Sequence, residues 1–158
     1  MNNVENLDKS LSECFRVTKP GAQLVITMNL PDTFIEFYTI FRQTLTEMKL
    51  EQYLKNINDH IFHKRKSLDF WQKVLKANGF SIKAEYLDTF KYRFTNGTSL
   101  LNYSTFKIYF LDGWKNCVEA THLTAVFEKL EASLNSYASK NRGIELTVPF
   151  VCFDLRRD

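Results

Sequence analysis

The chain has 158 residues, a net charge of +3 at neutral pH and an apolar fraction of 44%. This length suits one domain, so we predict a single domain over residues 1–158. Its 14 phenylalanines and 7 tyrosines argue against disorder, and the small charge argues against a nucleic-acid partner, which needs a dense basic surface. No apolar run is long enough to cross a membrane.

The cysteines and the N-terminal residues bear on the compartment. Cys14, Cys117 and Cys152 are odd in number and widely spaced, which argues against a disulfide framework or a structural zinc site. The first ten residues lack the basic and apolar stretches of a secretion signal. We therefore predict a cytoplasmic protein.

Helix and strand patterns alternate along the first half of the chain. Apolar residues recur at helical spacing over 4–18, and the apolar run 22–28 predicts a strand covered on both faces. Asp32 is the predicted N-cap of a long helix with an aromatic stripe. Ser67 is the predicted N-cap of a further helix, which Asn78 and Gly79 end.

The second half contains two more predicted strands. Alternation over 80–94 predicts one long strand, followed by a turn at 95–98 and one or two short helices over 99–117. Thr121 is the predicted N-cap of a long helix, and residues 144–155 form the last strand. Pro149 inside that strand predicts a bulge or a partly unpaired edge. Strands separated by helices indicate an α/β fold.

Three segments resemble class I S-adenosylmethionine-dependent methyltransferases of the small-molecule type. Residues 14–22, followed by the apolar residues 24–26, are similar to the R-V-L-K-P-G-G turn that leads into the fifth strand of that family. Thr18 replaces the usual Leu and Ala22 replaces the second Gly. Residues 75–80 resemble the L-x-x-A-G-F sequence before the sixth strand, and the last strand resembles the antiparallel seventh strand.

The resemblance implies a C-terminal half of this fold. The expected architecture is α/β, with a three-stranded mixed sheet in the order five-seven-six, helices on both faces, and strands one to four absent. The family holds its cofactor on a glycine-rich turn after strand one, where the backbone approaches the cofactor closely. The five glycines of this chain are all at least ten residues apart. We therefore expect no cofactor-binding residue here, and S-adenosylmethionine only where an N-terminal half is supplied.

Four residues are candidates for the substrate side. Asn29 and Pro31 follow the first strand, and ligands bind beyond the carboxyl ends of strands in open α/β sheets. Tyr38 lies on the following helix, and Tyr92 could stack on an aromatic acceptor. For Asn29 and Pro31 the alternative is a plain connection between strand and helix. For Tyr38 it is packing in the core as part of the helix stripe. For Tyr92 it is packing on a sheet face, which the alternation with Phe90 and Phe94 explains equally well.

Other candidate chemistry is weak. His60 and His63 have helical metal-ligand spacing but lack a third ligand, so we predict no metal site. The basic run 63–66 is interpreted as a solvated loop. Cys117 and Cys152 are interpreted as buried apolar residues, and no catalytic residue is identified.

Two functions remain open at this stage. The chain is either a methyltransferase-related fragment or subunit that contributes acceptor-side structure, with a separate chain carrying strands one to four, or a non-catalytic binding and assembly module. In the first case we expect no activity from the isolated chain. In the second, the strand at 22–28 has an exposed edge that pairs with its twofold mate, giving a homodimer with a six-stranded sheet. The alternative is that the N-terminal helix folds over this edge.

Overall fold

The computed structural model describes residues 4–158; residues 1–3, part of the segment inspected above for a secretion signal, lie outside the described residues. Within the described part, no helix is both long and apolar enough to span a bilayer. The elements alternate as an α/β chain. In order they are α1 (Leu7–Val17), β1 (Gln23–Asn29), α2 (Ile35–Glu47), a 3₁₀ helix (Glu51–Tyr53), α3 (Leu54–Lys64), α4 (Leu68–Ala77), β2 (Phe80–Phe94), α5 (Gly97–Leu101), α6 (Ser104–Tyr109), α7 (Leu111–Lys115), α8 (Ala120–Asn141) and β3 (Ile144–Arg157).

The three strands form one sheet in the order β1-β3-β2. β3 is antiparallel to β1, with Gln23 opposite Arg156 and Asn29 opposite Phe150. The expected position of the last strand between the other two is confirmed. The expectation of a mixed sheet is wrong, because the sheet is antiparallel. β3 lies between β1 and β2 and runs antiparallel to both, so no two strands of the described residues pair in parallel.

The contacts of the described residues group into two compact units. The first unit comprises residues 4–33, 64–90 and 148–158, and the second comprises Phe34–His63 and Lys91–Thr147. The assignment of residues 1–158 to a single domain stays a prediction.

The core of the first unit lies on one face of the sheet. Helices α1 and α4 supply buried side chains to it, and alternate residues of the strands supply the rest. The other face of β1 is open, since Val25 is 53% exposed, so the expectation that both faces are covered is wrong. Because Val25 is apolar although exposed, the alternation of exposed and buried residues along β1 does not show in the sequence. The buried core residues are Leu11, Met28, Trp71, Leu75, Phe80, Val151, Phe153 and Leu155.

Two of the predicted helix caps are wrong and one is confirmed. The Ser67 hydroxyl accepts a hydrogen bond from the Phe70 N–H at 3.2 Å, as expected for an N-cap. Asp32 lies in an exposed turn, because α2 begins later, after Phe34 in the left-handed conformation (φ 63°). Thr121 lies inside the first turn of α8, whose N-cap is Glu119.

The strand predicted over 80–94 is confirmed as one continuous element. The turn predicted at 95–98 contains the start of α5 instead. There Asn96 and Ser99 form a reciprocal capping box. Asn and Ser are also common in turns, so the sequence predicted a turn at this point. Three short helices, α5, α6 and α7, stand in place of the one or two predicted, and Gly143 comes just after the end of α8.

Pro149 explains where β1 stops. The Leu30 N–H donates to the Pro149 carbonyl at 2.9 Å, one position beyond the last paired residues of the ladder. Proline has no N–H to return the second bond of this pair. β1 therefore ends at Asn29 and leaves this point of β3 partly unpaired, as the sequence predicted.

Two residues before Pro149, at a point of β3 that β1 does not reach, a carboxylate takes the place of a pairing strand. The Phe34 N–H donates to the Thr147 carbonyl at 2.7 Å, and the Thr147 N–H donates to Glu36 Oε2 at 2.9 Å. The Thr147 hydroxyl also donates to the same carboxylate. These contacts satisfy backbone groups that would otherwise form an open edge.

We expect Glu36→Ala to lower the free energy of unfolding by about 1–3 kcal/mol, because it leaves a half-buried N–H without its acceptor. Urea denaturation followed by circular dichroism measures the change. Glu47→Ala is the control, since Glu47 makes an exposed ion pair with Lys129 at 3.0 Å and should cost under about 1 kcal/mol. Equal losses in the two variants would contradict this role of Glu36.

Candidate functional site

The second unit contains a dense aromatic cluster. Phe106 of α6 lies at its centre, and its ring centroid is 5.1–5.6 Å from those of six other rings. Ring pairs at these separations contribute favourable edge-to-face contacts beyond their burial. The cluster comprises Phe34, Phe37, Tyr92, Phe94, Tyr103, Phe106, Phe110 and Trp114.

Several elements with different periodicities bring these rings together. The end of β2 supplies Tyr92 and Phe94, which lie on one face because they are two residues apart. Helix α6 places Tyr103 and Phe106 beside them, and the left-handed Phe34 turns its ring inward before α2 begins. The burial of that ring (2% exposed) accounts for a backbone conformation that is unusual for a bulky residue.

The structure places Tyr38 and Tyr92 at this cluster. Tyr38 is fully buried, and its hydroxyl accepts a hydrogen bond from Trp114 Nε1 at 3.1 Å. Tyr92 is half-buried, and its ring is nearly parallel to that of Phe94, at 15° and 6.4 Å between centroids. These contacts favour the packing interpretation for both tyrosines, and a role beside the methyl acceptor stays a prediction.

Asn29 and Pro31 belong to the first unit. Asn29 is the last residue of β1 and is half-buried opposite Phe150. Pro31 lies in the exposed turn that follows. The four predicted substrate-side residues therefore fall into two sets, one at the aromatic cluster and one at the end of β1.

Charged groups lie at the start of β3 in the second unit. Glu145 accepts hydrogen bonds from Lys91 Nζ at 2.6 Å and from Arg93 Nε at 2.9 Å. The bonds from Lys91 and then Arg93 hold the pKa of the Glu145 carboxyl below its ordinary value. Glu145 is therefore ionised at neutral pH and is unsuited to donate a proton.

A polar groove of about 360 Å³ lies between α2 and α8, and the sequence did not predict it. It depends on how two helices pack, which periodicity alone does not reveal. The available signal was the repeat of polar residues at Ser133, Ser136 and Lys140, which share one face of α8. The groove is lined by Ile40, Gln43, Thr44, Glu47, Lys129, Ala132, Ser133, Ser136, Tyr137 and Lys140.

The two candidate histidines lie in different environments. His60 packs against Gly113, where an added Cβ would lie 2.6 Å from His60 Cε1, whereas His63 is exposed. Among residues 4–158, no three His, Cys, Asp or Glu side chains are grouped so that they could hold a metal ion. Arg65 is only 4% exposed, so the interpretation of 63–66 as a wholly solvated loop is wrong.

Cys117 is a buried thiol, as expected, whereas Cys152 and Cys14 are half-buried. The Cys117 S–H donates to the Gly113 carbonyl at 3.4 Å, and burial raises the pKa of this thiol to about 11. Because the thiolate is the nucleophile, Cys117 is unreactive near neutral pH.

We expect iodoacetamide at pH 8 to leave Cys117 unmodified in the folded protein. A thiol with a pKa of about 11 is roughly one-thousandth ionised at that pH. Peptide mass spectrometry identifies the modified residue, and the same reaction in urea, where all three cysteines should react, is the control. Rapid modification of Cys117 under native conditions would contradict the prediction.

Comparison with known proteins gives structural matches only. No known protein family matches the chain, and no curated protein matches it. Two matching solved structures are methyltransferases. One is assigned as a methyltransferase from Bacillus halodurans C-125, with 14% identity and a TM-score of 0.46, over 96% of this chain and 58% of that one. The other is assigned as a sarcosine dimethylglycine methyltransferase from Galdieria sulphuraria, with 16% identity and a TM-score of 0.37, over 98% of this chain and 48% of that one.

The chain therefore spans about half the length of these two methyltransferases.

Proposed function

We propose that this chain is a methyltransferase-related module that contributes acceptor-side structure and requires cofactor-binding strands supplied by another polypeptide segment. Support comes first from the segment over 14–26. It forms the end of α1, a turn at Gly21 with φ 74°, and then β1, which is the arrangement that the sequence resemblance implies. The position of β3 between β1 and β2 agrees with the same resemblance.

The observation that carries this proposal is the outer edge of β1. Leu30 and Ala22 bond to β3 through their backbone groups, at Pro149 and Arg157 respectively. Because inward and outward groups alternate along an antiparallel strand, the N–H and C=O groups of Gln23, Val25 and Thr27 point away from β3. No strand of the described residues pairs with that edge.

Four of the five glycines of this chain are closely packed, whereas Gly21 has nothing within 4 Å of an added Cβ. An added Cβ at Gly79 or Gly97 would lie 2.5 Å from a side-chain carbon of Phe15 or Leu134. An added Cβ at Gly113 or Gly143 would lie 2.6 or 2.8 Å from a protein atom, so these residues also serve close packing. Since Gly21 has no second glycine within ten residues, we assign S-adenosylmethionine binding to strands outside this chain, and no chemical step is derived from this chain.

Within this proposal, the module would position the methyl acceptor. Asn29 and Pro31 at the end of β1 are the residues we assign to that side, whereas a role of Tyr38 or Tyr92 beside the acceptor stays a prediction. Orientation of two reactants can supply a large part of a rate enhancement without a strong acid or base.

Calorimetric titration with S-adenosylmethionine tests the proposal. We expect no heat of binding with the isolated chain. We expect binding after co-expression with a segment that carries a glycine-rich strand-turn-helix, sought first in the reading frame around this sequence. Stoichiometric binding to the isolated chain would contradict the proposal.

A further inference from the structure

We infer that β1 of the isolated chain pairs antiparallel with β1 of a second copy about a twofold axis, forming a continuous six-stranded sheet. This inference shares with the proposed function the assumption that another strand completes the outer edge of β1. It differs by naming β1 of a second copy as the strand that completes this edge when no cofactor-binding strands are supplied.

The two outer edges of the sheet differ in charge. β1 has the sequence QLVITMN and carries no charged residue. β2 carries Lys83, Glu85, Asp88, Lys91 and Arg93. Edge strands that face water are commonly protected by charges, which oppose pairing with another strand. β2 has this protection, whereas β1 has the composition of a strand that is covered.

The backbone of β3 beyond the end of β1 is capped within the chain, whereas the outer edge of β1 is not. Where β1 stops, Glu36 and Phe34 cover the backbone of Thr147. No comparable side chain closes the outer edge at Gln23, Val25 or Thr27 among the described residues. The amide of Gln23 instead donates to Asp154 Oδ1 at 2.8 Å on the adjacent strand.

The sequence of β1 is self-complementary in one register. Only residues with outward groups can exchange both N–H···O bonds, so an axis at Val25 places Val25 opposite its own copy and Gln23 opposite Thr27. Leu24 then lies opposite Ile26 on the other face. Apolar side chains meet apolar ones, polar meet polar, and no like charges face each other.

The nearest charges on β3 do not oppose this arrangement. Asp154 lies opposite Val25 in the ladder and pairs with Arg156, which lies opposite Gln23. Each copy therefore brings a neutralised pair to the exposed face. A second copy is favoured over an unrelated charged partner, because the strand offers hydrogen-bonding groups and apolar surface but no net charge.

Sedimentation velocity of the full chain tests this inference. We expect a dimer at about 10–100 µM protein. Val25→Lys and Val25→Glu should each be monomeric, because like charges then meet at the axis. Mixing the two variants should restore the dimer, since opposite charges then face each other. Circular dichroism of each variant checks that it is folded.

Leu87→Lys is the matched control, because Leu87 lies on β2 and is 59% exposed, close to the 53% of Val25. It should remain dimeric. A wild-type monomer throughout this concentration range, or a dimer that Val25→Lys and Val25→Glu leave intact, would overturn the inference. Those results leave the proposed function standing, whereas stoichiometric S-adenosylmethionine binding to the isolated chain overturns that function alone.

Discussion

Phe106→Ala should lower the free energy of unfolding by about 3–5 kcal/mol, because it removes a fully buried ring from the centre of the aromatic cluster. Six rings would lose their common neighbour. The energy includes both the lost transfer of the ring from water and the cavity that remains. Urea denaturation followed by far-ultraviolet circular dichroism measures the loss.

Tyr109→Ala is the control for this variant, since Tyr109 belongs to the same helix but is 67% exposed. It should change stability by less than about 0.5 kcal/mol. If the two alanine variants lose similar stability, the cluster is not the packing centre of its unit. A small loss in Phe106→Ala alone would mean that the neighbouring rings collapse into the space.

Gly143→Ala should cost about 2–5 kcal/mol for two separate reasons. The residue has φ 125°, a conformation that side chains with a Cβ rarely adopt. An added Cβ would also lie 2.8 Å from the Phe94 carbonyl oxygen, which belongs to the backbone and cannot rotate away. The turn between α8 and β3 would have to move.

Gly21→Ala separates these two contributions. Gly21 has φ 74° and nothing within 4 Å of an added Cβ, so only the backbone conformation is penalised. We expect a loss of about 1–2 kcal/mol there. Thermal unfolding by calorimetry compares the two variants. Equal losses would show that the contact with Phe94 is relieved without cost.

Predictions from the sequence succeeded where they rested on regular residue spacing or on the family resemblance. Alternation over 80–94 predicted β2 with its full length, because regular spacing needs no knowledge of the partner strand. The position of β3 in the middle of the sheet came from the resemblance alone. Pro149 was interpreted correctly because the loss of an N–H has the same consequence in any sheet.

The errors arise where distant contacts override local preference. Asp32 is a good N-cap residue, yet the burial of Phe34 and its bond to Thr147 start α2 two residues later than an Asp32 cap would. Glu36 and Thr147 are 111 residues apart, so their pairing has no local signature. The groove between α2 and α8 escaped prediction for the same reason, since it exists only once both helices are placed.

The proposed states of β1 exclude each other. A strand from a cofactor-binding half and β1 of a second copy would use the same outward groups of Gln23, Val25 and Thr27. Binding of the first would therefore dissociate the second, with the balance set by concentration and relative affinity. The isolated chain and the proposed assembly would thus differ in stoichiometry.

The chain has two tryptophans, and each is buried in a different unit: Trp71 in the first and Trp114 in the second. Each unit therefore carries its own fluorophore. Variants with a single tryptophan would give emission spectra that report on one unit at a time, without any external dye. Whether the two units melt together or in sequence can be read directly from the natural chromophores.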